Sequence, residues 1–235
     1  MPAPFDTWPL VDDATVRLLT TAGQLTDDQC RAPSLLPGWS RGHLLTHIAR
    51  NADALRGLLA GASSGREVPM YASPAARDAD IHDGAWRPAT ELVADVDESA
   101  DRLRDEAAAL GETSAWNTVQ QWRRGRRRPA SDVPQSRLAE VELHHVDLGA
   151  GRTLTDTPDA VADALIEEAL ARLATVPDPV AFHVRVDGAD EVRSGVSGGV
   201  RVSGTRVHLV GWLSGRADGS ALRCDGELPR LPPWG

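Results

Sequence analysis

Lysine is absent from this 235-residue chain, so all 25 basic side chains are arginine; 34 acidic side chains outnumber them, for a formal net charge of -9. A chain without a basic excess has no general means of displacing counterions from a polyanion, which excludes non-specific nucleic-acid binding. Any anion it binds is held locally. Cysteine is nearly absent too. Cys30 and Cys224 stand far apart with no CxxC spacing, so the pair excludes a thiolate metal cluster, and unpaired thiols are expected. If thiol chemistry takes place here, the thiol comes from outside the chain. The opening MPAPFDTWPLVDD lacks the basic and apolar regions of a signal peptide, and no apolar run has the length needed to span a bilayer. A cytoplasmic protein with no membrane partner is expected. No internal repeat or low-complexity tail is present, and 41% hydrophobic residues suffice for one large domain or two small ones.

Helical periodicity organises the first two thirds of the chain. Val16, Leu18, Leu19, Ala22 and Leu25 predict a helix over 11–30, with Asp12 and Asp13 near its start. The linker RAPSLLPGW follows, and Ser40 is the expected N-cap of a second helix to about Ala60, packed through Leu44, Leu45, Ile48 and Ala52 and stopped by GASSG. A loop containing VPMYASPAARDADI leads to a third helix over 88–110, where Leu92, Val96, Leu103 and Ala107 share one side. NTVQQWRRGRRRPASDVPQ is a polar turn region whose arginine run reads as a solvated loop in so acidic a protein. A fourth helix covers 136–149. Beyond Gly151 the character changes: an amphipathic helix over 156–173, closed by Pro177 and Pro179, precedes AFHVRVDG, GVRVSG and TRVHLVGWL, whose period-two alternation predicts short antiparallel strands. The expected fold is therefore a four-helix domain over 1–152 followed by a small α+β domain over 153–235.

The chemistry concentrates in two of the helices. In SRLAEVELHHVDLG, Glu140 and His144 are four residues apart and leave one helix face about a turn from each other. In SRGHLLTHIARN, His43 and His47 repeat that spacing. Two facing helices would bring these pairs together as a His, Glu, His metal site with one coordination position left open, the arrangement of catalytic zinc and equally of non-haem ferrous iron. The spacing leaves the choice between His43 and His47 open. His145 lies about 100° around the helix from His144, and Glu142 points away from Glu140, so both read as exposed or packed against a neighbouring helix. Asp147, one turn beyond His144, reads either as a hydrogen-bond partner for that ring or as a charge at the helix end.

Several stretches resemble the mycothiol-dependent maleylpyruvate isomerase family: LPGWSRGHLLTHIARNADAL at 36–55, MYASPAARDADIHDGAWRPATEL at 70–92, RLAEVELHHVDLGAG at 137–151 and GWLSGRADGSALRCDGELPRLPPW at 211–234. The resemblance implies a DinB-like four-helix bundle followed by a sterol-carrier-like domain, and zinc held by His47, Glu140 and His144. It also implies mycothiol, a low-molecular-weight thiol, as cofactor, and conversion of maleylpyruvate to fumarylpyruvate in gentisate breakdown. In that chemistry zinc favours the thiolate, which adds to the conjugated double bond, and the resulting single bond rotates before elimination. The substrate is a small dicarboxylate, and arginine suits its carboxylates and the enolate. Arg216 in the GRADG turn is the first candidate, as a catalytic residue; Arg223 and Arg77 follow as candidate cofactor contacts, although both also read as surface ion pairs. A monomer or weak oligomer is expected. The same motifs also fit a mycothiol S-transferase acting on another electrophile, or a metal-bound binding module without turnover.

Overall fold

The computed structural model describes residues 4–234; Met1 to Ala3, part of the N-terminal stretch read above, and Gly235 lie outside the described residues. Helix α1 (Pro4–Ala22) turns Trp8, Val11, Ala14, Leu18 and Ala22 inward at intervals of three and four. Val16, expected on that face, is 63% exposed. The chain leaves the helix at Gly23 and starts another, α2 (Asp27–Arg31), because Thr26 and Gln29 cap each other reciprocally: the Thr26 hydroxyl accepts from the Gln29 N–H and the Gln29 side chain accepts from the Thr26 N–H. The single helix predicted over 11–30 is thus two.

Helix α3 (Arg41–Ser63) begins where expected, with the Ser40 hydroxyl accepting from the His43 N–H. Its Leu44, Leu45, Ile48, Ala52, Leu55 and Leu59 are fully buried. The stretch expected to be a loop contains α4 (Pro74–Gly84), whose signals are Ser73, capping the Ala76 N–H, and Pro74 in the first turn, where a missing N–H costs nothing. Helix α5 (Ala89–Leu110) buries Leu92, Val96, Leu103 and Ala107 as the spacing predicts.

A short antiparallel hairpin follows, β1 (Val119–Gln121) with β2 (Arg127–Pro129), in the register Gln120↔Arg128. The arginine run occupies its tip and second strand. Arg127 reaches Glu67 on the surface, as a solvated loop would. Arg128 departs from that reading: its side chain is 11% exposed, pairs with Asp132 at 2.7 Å and lies 4.8 Å over the Trp122 ring. Helix α6 (Val133–Asp147) starts before Ser136, with Pro134 in its first turn. The long helices pack pairwise, α3 against α5 and α6 and α1 against α6 and α5, with α4 on α3.

Contacts divide the chain into two compact units, Met1–Arg152 and Thr153–Gly235. The second carries helix α7 (Asp159–Ala174), strands β3 (Phe182–Val186), β4 (Val192–Arg193) and β5 (Val200–Gly204), helix α8 (Arg206–Leu213) and strand β6 (Arg223–Cys224). Phe182, Val184 and Val186 alternate inward along β3. Two expectations need correction here. TRVHLVGWL is the helix α8 and not a strand, because the Thr205 hydroxyl accepts from the His208 N–H and starts a helix, and the apolar run inside it is buried either way. The strands are also not all antiparallel. The sheet order is β4-β3-β5-β6, with β4 and β6 antiparallel to their neighbours, but β3 and β5 run parallel from Phe182↔Val200 to Val186↔Gly204. The connection from β4 to β5 over 194–199 is short, so β5 starts near the end where β4 finishes and runs opposite to β4, hence parallel to β3. The protein is mostly helical with a small sheet-containing C-terminal part, and no described helix is long and apolar enough to cross a membrane.

Candidate metal centre

Helices α3 and α6 face each other, and one buried side chain sets their register. Arg137 is fully buried on α6, where its NH1 donates to the Ile48 carbonyl at 2.7 Å and to Asn51 Oδ1 at 3.0 Å on α3. Burial depresses its pKa to about 10, so the guanidinium stays charged at neutral pH. One turn further along α6 comes Glu140, opposite His47.

Three donor atoms converge there. His47 Nε2 lies 3.0 Å from Glu140 Oε2 and 3.2 Å from His144 Nε2, and His144 Nε2 lies 3.3 Å from Glu140 Oε2. Among the described residues this is the one cluster of three such ligands close enough to share an ion. A tetrahedral site with arms of about 2.0 Å has edges of about 3.3 Å, so the triangle has the size of one face of a zinc tetrahedron. The donor set and its spacing fit a divalent cation. Asp147 Oδ2 accepts from His144 Nδ1 at 2.8 Å, which holds the ring with Nε2 facing the cluster.

His43, the other histidine of the α3 edge, is committed elsewhere. Its Nδ1 lies 2.7 Å from the Ser40 hydroxyl and 3.4 Å from the Ser40 N–H, where it completes the cap of α3. His145 is buried, with Nε2 on the Thr21 hydroxyl of α1, and Glu142 is buried against Arg17 and Arg152; both are packing residues.

Electrostatics acts differently on the three ligands. Burial drives the His47 pKa down to about 4 against the attraction of Glu140, so the ring is neutral at neutral pH. Burial favours a neutral Glu140, but hydrogen bonds from His144 and His47 outweigh it and hold the carboxyl well below the usual range. At His144 burial opposes the charged form, but Asp147 and Glu140 prevail and raise its pKa.

Of the groups around the cluster, sequence reasoning named Arg77 as a candidate cofactor contact and missed Trp39, Tyr71 and Arg123. The Trp39 ring stands edge-on to His47 with centroids 5.4 Å apart. Arg77 is 8% exposed and does not sit on the surface as an ion pair there would: NH1 donates to Asp78 at 2.7 Å, NH2 to His47 Nδ1 at 3.3 Å, and the guanidinium lies 5.9 Å from the Trp39 ring and 5.8 Å from that of Tyr71. Among the described residues its buried Nε has no hydrogen-bond partner. Arg123, at the hairpin tip, has its pKa lowered by burial and by the charges of Arg77 and Arg124, against the pull of Glu140 and Tyr71. The bridge between Pro69 and Gln121 explains how Tyr71 and Arg123, each two residues further on, reach one neighbourhood. Nothing in local spacing signals this.

In the second unit Arg216 follows α8 in a turn, where its N–H donates to the Gly211 carbonyl at 2.8 Å and its NH1 to that of Ser214 at 3.2 Å. Arg223 on β6 pairs with Asp187 on an exposed face.

Comparison with known proteins identifies the family of the chain. The family profile for the mycothiol maleylpyruvate isomerase N-terminal domain matches residues 11–149, and the corresponding C-terminal domain profile matches 156–233. A crystal structure of the mycothiol-dependent maleylpyruvate isomerase is similar over 100% of this chain and 98% of its own, at 29% identity and a TM-score of 0.82. A crystal structure of a histidine-to-alanine mutant of that enzyme gives 28% identity, the same coverage and a TM-score of 0.81. No curated protein sequence matches. The resemblance read from 36–55, 70–92, 137–151 and 211–234 is borne out in both halves, and the chain belongs to the mycothiol maleylpyruvate isomerase family.

Proposed function

We propose that this enzyme holds zinc through His47, Glu140 and His144 and uses mycothiol to convert maleylpyruvate to fumarylpyruvate, a step of gentisate breakdown. The observation that carries the reading is the three-donor triangle, one tetrahedral face with the fourth position left to a ligand, in a chain of this family. Zinc there would favour the thiolate of mycothiol, the nucleophile whose reversible addition makes the cis double bond rotatable.

The chain's own residues supply position and charge. Asp147 keeps the His144 proton on Nδ1 and so its Nε2 lone pair on the metal. Holding a cation through Nε2 would place the proton of the His47 ring on Nδ1, where it could no longer accept from Arg77; NH2 of that guanidinium, whose NH1 stays on Asp78, would then be available to a carboxylate or to the cofactor. Arg216 is the proposed clamp for the substrate's developing enolate. Arg223, already paired with Asp187, has less to offer the cofactor. The proposed setting is cytoplasmic, with a small anionic substrate, a low-molecular-weight thiol and no nucleic-acid partner.

The test is loss of maleylpyruvate by the zinc-loaded protein with and without mycothiol. Turnover is expected only with mycothiol; equal turnover without it, or with glutathione alone, overturns the reading, and conjugate formation without isomerisation points to a transferase. Arg216→Met is expected to lower turnover about tenfold or more, as for loss of one charge-assisted hydrogen bond, with zinc content unchanged. Unchanged turnover removes Arg216 from the mechanism.

A further inference from the structure

Aromatic rings run outward from the metal centre in an unbroken series. Trp39 touches His47 edge-on, its centroid lies 6.4 Å from that of His43, and His43 meets Trp86 edge-on at 5.4 Å. His82 closes the group at 5.8 Å from His43 and 6.4 Å from Trp86. Exposure rises along the series from 5% at His47 to 51% at Trp86. The cap of α3 accounts for one nitrogen of His43, and the metal centre uses none of the other rings.

Trp86 is exposed but its backbone is fixed. A Cβ on Gly42 would fall 2.2 Å from the Ala85 carbonyl oxygen, and one on Gly84 would fall 2.6 Å from Thr46 Cγ2. Two glycines therefore let the turn after α4 rest directly on α3, with Ala85 1% exposed beneath Trp86. Arg87 ties the same turn down, with Nε donating to the Gly84 carbonyl at 2.9 Å and NH2 to Asp95 at 2.7 Å. A half-exposed indole on a backbone held this way is a preformed binding surface, because no ordering of the main chain is needed when a ligand arrives.

The chemistry of the rings selects the ligand. Indole and imidazole present flat apolar faces with polar ring nitrogens at their edges. They suit a ring with C–H faces and a rim of hydroxyls, namely a sugar or a cyclitol. Mycothiol has this make-up: its cysteine is joined to an amino sugar and the sugar to inositol. We infer that Trp39, His43 and Trp86 hold the sugar and inositol of mycothiol while its thiol reaches His47, Glu140 and His144. The inference rests on the thiol-dependent function proposed above and adds where the rest of the cofactor lies.

The test uses the full-length zinc-loaded protein with Trp86→Ala and Trp86→Phe. Trp86→Ala is expected to raise the KM for mycothiol about tenfold, the loss of one stacked ring. Zinc content and the thermal midpoint should stay unchanged, and Trp86→Phe should recover most of the affinity. Calorimetry with the thiol-free glucosaminyl-inositol reads the surface without turnover: binding to the wild type should weaken by a similar factor in Trp86→Ala. Mycothiol-dependent turnover with the same KM and the same glucosaminyl-inositol affinity in Trp86→Ala overturns the inference. If the wild type binds glucosaminyl-inositol through Trp86 yet shows no thiol-dependent turnover, the surface stands and the proposed reaction falls.

Discussion

Replacing Glu140 or His47 by alanine is expected to empty the metal centre and to lower turnover at least about a thousandfold, which corresponds to several kcal/mol of lost transition-state stabilisation. Either change leaves two of the three donors that now lie within 3.0 to 3.3 Å of one another, and two neutral imidazoles, the set left without Glu140, hold a divalent cation far less well than two imidazoles and a carboxylate. Asp147→Asn is milder, with about a 10- to 100-fold loss of zinc affinity, because the ring of His144 loses the charge that orients it while the ligand atoms remain. Zinc content per chain after dialysis separates these outcomes, and a Glu140→Ala protein that keeps one zinc per chain would refute the ligand assignment. The pH dependence has a definite sign. The raised pKa of His144 means that a proton competes with the metal, so zinc affinity should increase as the pH rises through that value. His47, near 4, is already deprotonated over that range and adds nothing to the slope.

The sequence makes the α6 half of the site legible through spacing alone, since Glu140 and His144 need only a helix to face one way. Spacing could not choose between His43 and His47, because both lie on one helix edge, and the preference for His47 rests on the family resemblance. The choice is made by the capping of Ser40, which occupies Nδ1 of His43, and by the register that Arg137 imposes between α3 and α6. Of the surrounding groups Arg77 was a candidate, but its place and that of Arg123 were illegible for a related reason. Arg77 sits in a helix taken for a loop, and Arg123 reaches the site's field only through a strand pairing 52 residues long in sequence, between Pro69 and Gln121. The second half of the chain fails differently. TRVHLVGWL alternates like a strand, yet one hydroxyl cap at Thr205 decides for a helix, since burial of Leu209, Val210, Trp212 and Leu213 satisfies either conformation.

Two glutamates two residues apart on α6 should show opposite phenotypes. Glu142 points roughly 200° around the helix from Glu140, and its side chain is fully buried between Arg17, at 3.2 Å, and Arg152. Arg17 belongs to α1 and Arg152 follows α6, so the carboxylate ties the first helix to the last turns of the first unit. Glu142→Ala leaves the 10%-exposed side chain of Arg152 without that carboxylate in a place where water reaches poorly. The expected cost is about 3 kcal/mol or more, read as a lower urea midpoint with an unchanged slope. Zinc content should not change, because neither Glu142 oxygen takes part in the cluster. Replacing Arg17, Glu142 and Arg152 together by apolar residues of similar volume should recover much of the loss, since it removes the buried charges along with the pairing. A cost below about 1 kcal/mol for Glu142→Ala would show that the ion pairs only offset the desolvation of the carboxylate. Glu140→Ala should show the converse pattern in the metal-free protein, with zinc binding lost and the urea midpoint changed less than in Glu142→Ala, because the Glu140 side chain is 26% exposed whereas that of Glu142 is fully buried.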